Sequence, residues 1–176
     1  NIAGLGLPIL TIGLVQGAAL GGGLESLLSF DFIIAEESAT FGLPEIMFGL
    51  FPGMGAHALL SRMIGTVAAE RLITSARTYT AAEMHALGLV HEVVPDGEGE
   101  AAVQLFITKN SRRHAGLLGS RKATKRTWNL TLAELNEITE QWADTALQLT
   151  ERDLKLMGRL ADKQRRTSSA RKVEPA

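Results

Sequence analysis

The chain has 176 residues, of which 45% are hydrophobic and 21% are charged, and its net charge is −1. These values are typical of one globular domain with its own core, and they argue against a disordered, collagen-like or coiled-coil protein. The absence of cysteine excludes a disulfide framework, thiolate metal ligands and a cysteine nucleophile. Because a cysteine-free chain fits a reducing compartment, we expect a cytoplasmic protein.

The first 24 residues carry no charge, so a membrane span or a signal peptide has to be considered. Seven glycines and Pro8 interrupt this stretch, and no basic segment precedes it. We therefore expect no membrane association. The apolar beginning at Asn1, without Met, predicts instead that the N-terminal part of a larger protein is absent from this chain.

The elements in the first part of the chain predict an α/β fold. Residues 8–15 form a continuous apolar run, which is typical of a strand buried on both faces, and Gly17 ends it. After three consecutive glycines, residues 24–30 predict a helix and residues 32–35 a second buried strand. The order of strand, glycine turn, helix and strand indicates an α/β protein.

The following region predicts short helices and one more strand. Pro44 is placed in the first turn of a short element, and helices follow over residues 56–64 and 67–75. Thr80, with Glu83 three residues later, predicts a capping box that opens a third helix. A strand is then expected over residues 89–94.

The remainder is predicted to be helical, with N-caps at Thr131 and Thr150. We divide the chain into a core over 1–113, a C-terminal helical region over 114–166 and a polar tail over 167–176. The last part of the chain, residues 155–172, is rich in Lys and Arg, but a basic helix end is usually a solvated face and no aromatic platform accompanies it. We expect no nucleic-acid partner.

A glycine-dense turn between Gly17 and Glu25 is the most informative segment for function. Glycines let backbone N–H groups approach a ligand closely, and a helix N-terminus stabilises an oxygen that gains negative charge. The turn is therefore a candidate oxyanion hole with a carboxylate beside it. The alternative is that these glycines serve only tight packing of helix against strand.

A second carboxylate, Glu45, follows Glu25 by twenty positions, again at the start of a short element in an apolar setting. Two carboxylates beside an oxyanion hole can move protons at adjacent atoms, one as acid and one as base. The alternative for Glu45 alone is a helix-first-turn acid stabilised by the helix dipole.

The sequence resembles the crotonase, or enoyl-CoA hydratase/isomerase, superfamily. The resemblance rests on residues 17–25, 41–45, 52–55 and 80–93. Within the superfamily, residues 41–56 and 59–62 are most similar to the diffusible signal factor synthases of bacterial quorum sensing. The resemblance implies a fold of stacked ββα units, an acyl thioester of CoA or acyl carrier protein as substrate, and a homo-oligomer, either trimer or hexamer.

The resemblance also implies roles for individual residues. Gly22 takes the place of the oxyanion-hole glycine, and Glu25 and Glu45 those of the paired catalytic glutamates. The implied reaction dehydrates a 3-hydroxyacyl thioester to a 2-enoyl thioester and then hydrolyses the thioester to release an unsaturated fatty-acid signal. The family's other oxyanion donor comes from an earlier loop that this chain does not contain.

Six apolar residues after Glu45 are candidates for an acyl pocket, although apolar residues at this density also occur in an ordinary core. They are Met47, Phe48, Leu50, Phe51, Met54 and Leu59. The four histidines have no metal-ligand spacing, so we expect no metal and no cofactor. Two other functions remain open: an ordinary enoyl-CoA hydratase or isomerase of fatty-acid metabolism, and a non-catalytic fragment that binds an acyl group or a protein partner.

Overall fold

The structure, a computed structural model, describes residues 8–171, with side chains described up to residue 162. Residues 1–7 of the predicted core and residues 172–176 of the predicted tail lie outside the described residues. Within the described part, no helix is both long enough and apolar enough to cross a membrane.

Within residues 8–171, six short strands form two three-stranded sheets. The strands are β1 Ile12–Val15, β2 Ala18–Leu20, β3 Phe32–Glu36, β4 Thr40–Gly42, β5 Tyr79–Thr80 and β6 Glu92–Val94. The first sheet is all parallel in the order β1-β3-β6, and the second has the order β2-β4-β5 with β2 and β4 parallel. From β1 to β4 the chain alternates between the two sheets, as expected for repeated ββα units.

Helices surround the sheets and make up the whole C-terminal part of the described chain. They are α1 Gly22–Leu27, α2 Ala56–Ile64, α3 Thr66–Ser75, α4 Ala81–Ala86, α5 Gly99–Asn110, α6 His114–Thr127, α7 Leu132–Ala146 and α8 Glu151–Arg171. The part of the chain that the structure describes also has 3-10 turns at Glu45–Phe48 and Ser111–Arg113. Helix α8 continues past residue 166, so the first part of the predicted tail is helical.

The core lies between the sheets and helices α1 to α4, and its largest fully buried side chain is that of Phe41. The C-terminal helices are tied to this core by polar contacts as well as by packing. Asp31, which is almost fully buried, accepts hydrogen bonds from the N–H and hydroxyl of Thr11 and forms an ion pair of 2.6 Å with Lys125 of α6. This buried pair fixes α6 against the start of β3, the central strand of the first sheet.

The predicted caps are confirmed. Thr80 and Glu83 form the reciprocal capping box of α4, the Thr131 hydroxyl accepts the N–H of Glu134, and Thr150 and Asp153 bond reciprocally at the start of α8. Several boundaries differ from the predictions. The strand predicted over residues 89–94 begins at Glu92, because the N–H groups of Leu89 and Val90 bond to the Met84 carbonyl instead of to a neighbouring strand.

Candidate active site

Glu25 lies on α1 and is buried, with 3% of its surface exposed. Its Oε1 accepts two backbone hydrogen bonds, from Met54 N–H at 2.8 Å and from Ala56 N–H at 3.2 Å. Burial raises the pKa of Glu25, while these two N–H groups stabilise the carboxylate and oppose that rise. The segment between Pro52 and Ala56 therefore holds Glu25 by one oxygen and leaves the other oxygen for chemistry.

The second sheet positions Glu45 near Glu25. Strands β2 and β4 run parallel, so their carboxyl ends meet at one edge, and Gly21 N–H donates to the Gly42 carbonyl at 2.8 Å. The 3-10 turn that begins at Glu45 follows directly. A Cβ placed on Gly21 would lie 2.8 Å from Glu45 Oε1, so the Glu45 carboxylate rests against the glycine turn that starts α1.

The surroundings of Glu45 favour its protonated form. Burial raises its pKa to about 7, its own backbone N–H opposes the rise, and the nearby negative charge of Glu25 adds to it. Within the described part of the chain, Glu45 Oε2 is buried and accepts no hydrogen bond. Near neutral pH, Glu45 can therefore carry a proton while Glu25, held by two N–H groups, is the better carboxylate.

Gly22 is the first residue of α1, where backbone N–H groups have no acceptor within the helix. The Sδ atom of Met54 would lie 3.4 Å from a Cβ on Gly22, and half of the Met54 residue, 52%, is exposed. Met54 thus joins two predicted site groups, because its N–H binds Glu25 and its side chain covers Gly22. The structure brings Gly22, Glu25, Glu45 and Met54 together.

The other predicted acyl-pocket residues do not share one surface. Phe48, Leu50 and Leu59 are buried in the interior, and Phe51 is partly buried with its ring edge against His57. Met47 is 51% exposed and lines a groove of about 990 Å³ with the first turns of α8. Of the six residues, Met54 contacts the glycine turn directly, and a pocket built by all six stays a prediction.

Sequence reasoning missed three contributors to this site. Gly21 determines how close Glu45 can approach, and the N–H groups of Met54 and Ala56 hold Glu25. The Pro52-Gly53-Met54-Gly55 run is a sequence signal for a tight loop, but nothing in it identifies the carboxylate that its N–H groups bind. Among the described residues, no three His, Asp or Glu side chains are arranged to hold a metal ion.

A sequence model of the family described as "Enoyl-CoA hydratase/isomerase" matches residues 5–167. The chain belongs to this family. It is 43% identical over 124 residues to a "Probable enoyl-CoA hydratase" of Rhizobium meliloti (strain 1021), an alignment that covers 70% of this chain and 48% of that protein. It is also 45% identical over 98 residues to the human "Enoyl-CoA hydratase domain-containing protein 2, mitochondrial", covering 55% of this chain and 34% of that protein.

Solved structures of the enoyl-CoA hydratase/isomerase family share this fold. A crystal structure of an enoyl-CoA hydratase from Mycobacterium avium subsp. paratuberculosis K-10 superposes with a TM-score of 0.75 at 30% identity, covering 85% of this chain and 62% of that one. A carnitinyl-CoA hydratase from Mycobacterium avium gives a TM-score of 0.74 at 28% identity, covering 90% of this chain and 62% of that one. The predicted crotonase fold is thereby confirmed. The chain spans less than half the length of each of the two curated relatives named here.

Proposed function

We propose that this chain carries the catalytic glutamates of an enoyl-CoA hydratase, which adds water to the double bond of a 2-enoyl-CoA thioester. The observation that supports this most strongly is the difference between the two neighbouring carboxylates. Glu25 accepts two N–H groups, which favour its charged form, whereas the pKa of Glu45 is raised to about 7. One base and one acid side by side are what addition of water across adjacent carbons requires.

In the hydration direction, Glu25 takes a proton from water as the water oxygen bonds to C3 of the enoyl group. The electrons of the double bond move toward the thioester carbonyl oxygen, which gains negative charge and is stabilised by N–H groups that include that of Gly22. Protonated Glu45 then delivers its proton to C2. In the reverse direction Glu45 removes the C2 proton and Glu25 protonates the leaving hydroxyl.

A second candidate adds hydrolysis of the thioester after dehydration, as implied by the resemblance to signal synthases. The buried Oε2 of Glu45, which accepts no hydrogen bond within the described part of the chain, supports it, since this oxygen in the ionised form of Glu45 can accept a proton from a water at the thioester carbonyl. Water adds to the carbonyl carbon, the carbon–sulfur bond breaks, and the thiol leaves with the proton. The carrier is then CoA or acyl carrier protein.

Self-association belongs to the same proposal. Leu132, Leu147 and Leu154 of the C-terminal helices are exposed, with Leu147 86% accessible. Apolar side chains exposed in this way favour contact with a second copy of the chain. Sedimentation of the full-length protein is expected to give a trimer or hexamer, and a monomer at high concentration would contradict this part of the proposal.

Product analysis with the full-length protein tests the main proposal against its alternatives. A 2-enoyl-CoA should be converted to the 3-hydroxyacyl-CoA, with loss of the ultraviolet absorbance of the conjugated thioester. Free fatty acid and free thiol among the products would support the second candidate. Binding of the thioester without any conversion, in a protein that is folded and complete, would support a non-catalytic acyl-binding protein and contradict both enzymatic proposals.

A further inference from the structure

We propose that Trp142 is a positioning residue, which holds the loop that carries the hydrogen-bond donors to Glu25. This inference rests on the proposed function. Trp142 lies on α7, in the C-terminal helical region, more than a hundred positions from Glu25 in the chain. Its effect on Glu25 passes through one short loop between Pro52 and Ala56, which we call the donor loop.

Three side chains on one face of α7 contact the donor loop. Leu135, Thr139 and Trp142 follow each other at helical spacing, so they project to the same side. A Cβ on Gly53 would lie 2.6 Å from two ring carbons of Trp142, and one on Gly55 would lie 3.0 Å from Leu135 Cδ2. The Thr139 hydroxyl donates to the Leu135 carbonyl of its own helix at 2.9 Å and lies 3.4 Å from the Gly53 carbonyl.

The contact at Gly53 is closer than any residue with a side chain allows. Real Cβ atoms essentially never approach other heavy atoms to less than 3.0 Å, so the ring occupies the space that the absent side chain leaves. The φ angle of Gly53 is not in the left-handed region, so backbone conformation alone does not require glycine there. The glycine is explained by the ring of Trp142.

The donor loop alternates between residues that touch α7 and residues that bind Glu25. Gly53 and Gly55 meet Trp142 and Leu135, while Met54 and Ala56 donate their N–H groups to Glu25 Oε1. Any shift of Gly53 therefore moves the Met54 N–H, whose distance to Oε1 is 2.8 Å. A misplacement of about 1 Å at a catalytic group can reduce turnover on the order of a hundredfold.

Helix α7 is also bonded to α2, the helix that follows the donor loop. Arg62, in the last turn of α2, makes two hydrogen bonds of 2.9 and 2.8 Å to Glu134 in the first turn of α7, and its Nε donates to the Trp128 carbonyl. Because α2 begins at Ala56, α7 is bonded to the last turn of α2 and also packs on the donor loop, which precedes α2. These hydrogen bonds fix the position of α7, and with it the position of the Trp142 ring.

A shift of the donor loop is expected to change the pKa of Glu25 in one direction only. The N–H groups of Met54 and Ala56 oppose the rise in pKa that burial causes, so lengthening those bonds raises the pKa further. Hydration needs Glu25 ionised, and the acidic limb of its pH profile should therefore move to higher pH when the donor loop shifts. A general loss of stability would lower the amount of active protein without moving that limb.

A double-mutant cycle at Gly53 and Trp142 in the full-length protein tests the inference. G53A introduces a methyl group into the ring of Trp142, whereas W142A removes the ring and leaves room for that methyl group. We expect G53A alone to lower kcat/KM for a 2-enoyl-CoA by about a hundredfold, and by less than about threefold in the W142A background. Gln141, exposed on the same helix, gives the matched control Q141A, which should leave both activity and profile unchanged.

The pKa of Glu25, followed by carbon NMR of labelled glutamate carboxyls and assigned with E25Q, gives a readout that needs no turnover. It should rise in G53A and in W142A and stay constant in Q141A. If W142A does not fold, W142L carries the same cycle with an apolar side chain in place of the ring. Equal effects of G53A in both backgrounds, or a constant Glu25 pKa, would overturn the role of Trp142. A wild-type protein without hydratase turnover would overturn the proposed function, and the NMR titration would still decide the role of Trp142.

Discussion

Glu45 Oε1 lies 2.8 Å from the point where a Cβ of Gly21 would stand. Gly21 has a φ of 55° and donates its N–H to the Gly42 carbonyl, so it ends β2 and turns the chain into α1. The same residue therefore sets the conformation that starts the helix of Glu25 and leaves the space that the Glu45 carboxylate fills. Two carboxylates from different ββα segments meet because this one position has no side chain.

Replacing Gly21 by alanine should damage both stability and turnover. At φ 55° and ψ −127°, Gly21 has a backbone conformation that costs a residue with a Cβ about 1–3 kcal/mol, and the new methyl group displaces Glu45. Urea unfolding should report the loss of stability, and turnover of a 2-enoyl-CoA should fall by about a hundredfold. Gly23 provides the control, because a Cβ there meets nothing within 4 Å. Equal behaviour of G21A and G23A would contradict this account of the turn.

E45Q should lower turnover by roughly two to four orders of magnitude and leave the fold intact, because the amide keeps the shape of the side chain and cannot transfer the proton. Circular dichroism and steady-state kinetics on the same preparation measure the two effects. Glu37 is exposed, so E37Q is a control for the loss of one negative charge. Near-normal turnover of a stable E45Q protein would remove Glu45 from the mechanism.

The raised pKa of Glu45 predicts a pH dependence of stability. Its ordinary value is 4.5 and its value in the folded protein is about 7, so the folded state binds more protons than the unfolded state between these limits. Stability contributed by protonated Glu45 is therefore present below about pH 4.5 and is lost as the pH rises toward 7. Chemical denaturation of wild type and E45Q across this window should show a steeper decline for wild type. Parallel curves would mean that Glu45 titrates normally.

Local signals predicted the parts of the fold whose causes are local. The capping box of Thr80 and Glu83 was recognisable because both partners lie within one turn, and α2 has the predicted bounds, Ala56–Ile64. Strands β2 and β4 have three residues each, too few to show a period of two, and the sequence around Gly17 indicated only a turn. These strands exist because they pair with each other, which a reading along the chain does not show.

In the candidate site, too, some contributors could be predicted from the sequence and others could not. Glu25 and Glu45 could be selected from the sequence because each is a carboxylate at the start of a helical element. The backbone donors to Glu25 could not be predicted, since any residue except proline supplies an N–H and Met54 has no local feature that marks it. Trp142 lies far from both glutamates in the chain, and only the structure places its ring on Gly53.

If the chain acts as the proposed hydratase, Met54 should influence its preference for acyl chain length. Its side chain covers Gly22, the proposed donor to the thioester oxygen, and is 52% exposed, so an acyl chain that extends from a carbonyl bound there meets the thioether. Burial of one methylene is worth about 0.8 kcal/mol, which is about fourfold in kcat/KM for each carbon that contacts it.

A series of 2-enoyl-CoA thioesters of increasing length measures this preference. Wild type should gain in kcat/KM with each methylene until the tail passes Met54, and M54A should lose part of that gain while keeping its rate on the shortest substrate. Val67, an exposed apolar residue at the start of α3, provides the control V67A. A flat series for wild type would place the tail in solvent, and identical slopes for wild type and M54A would show that other residues contact it.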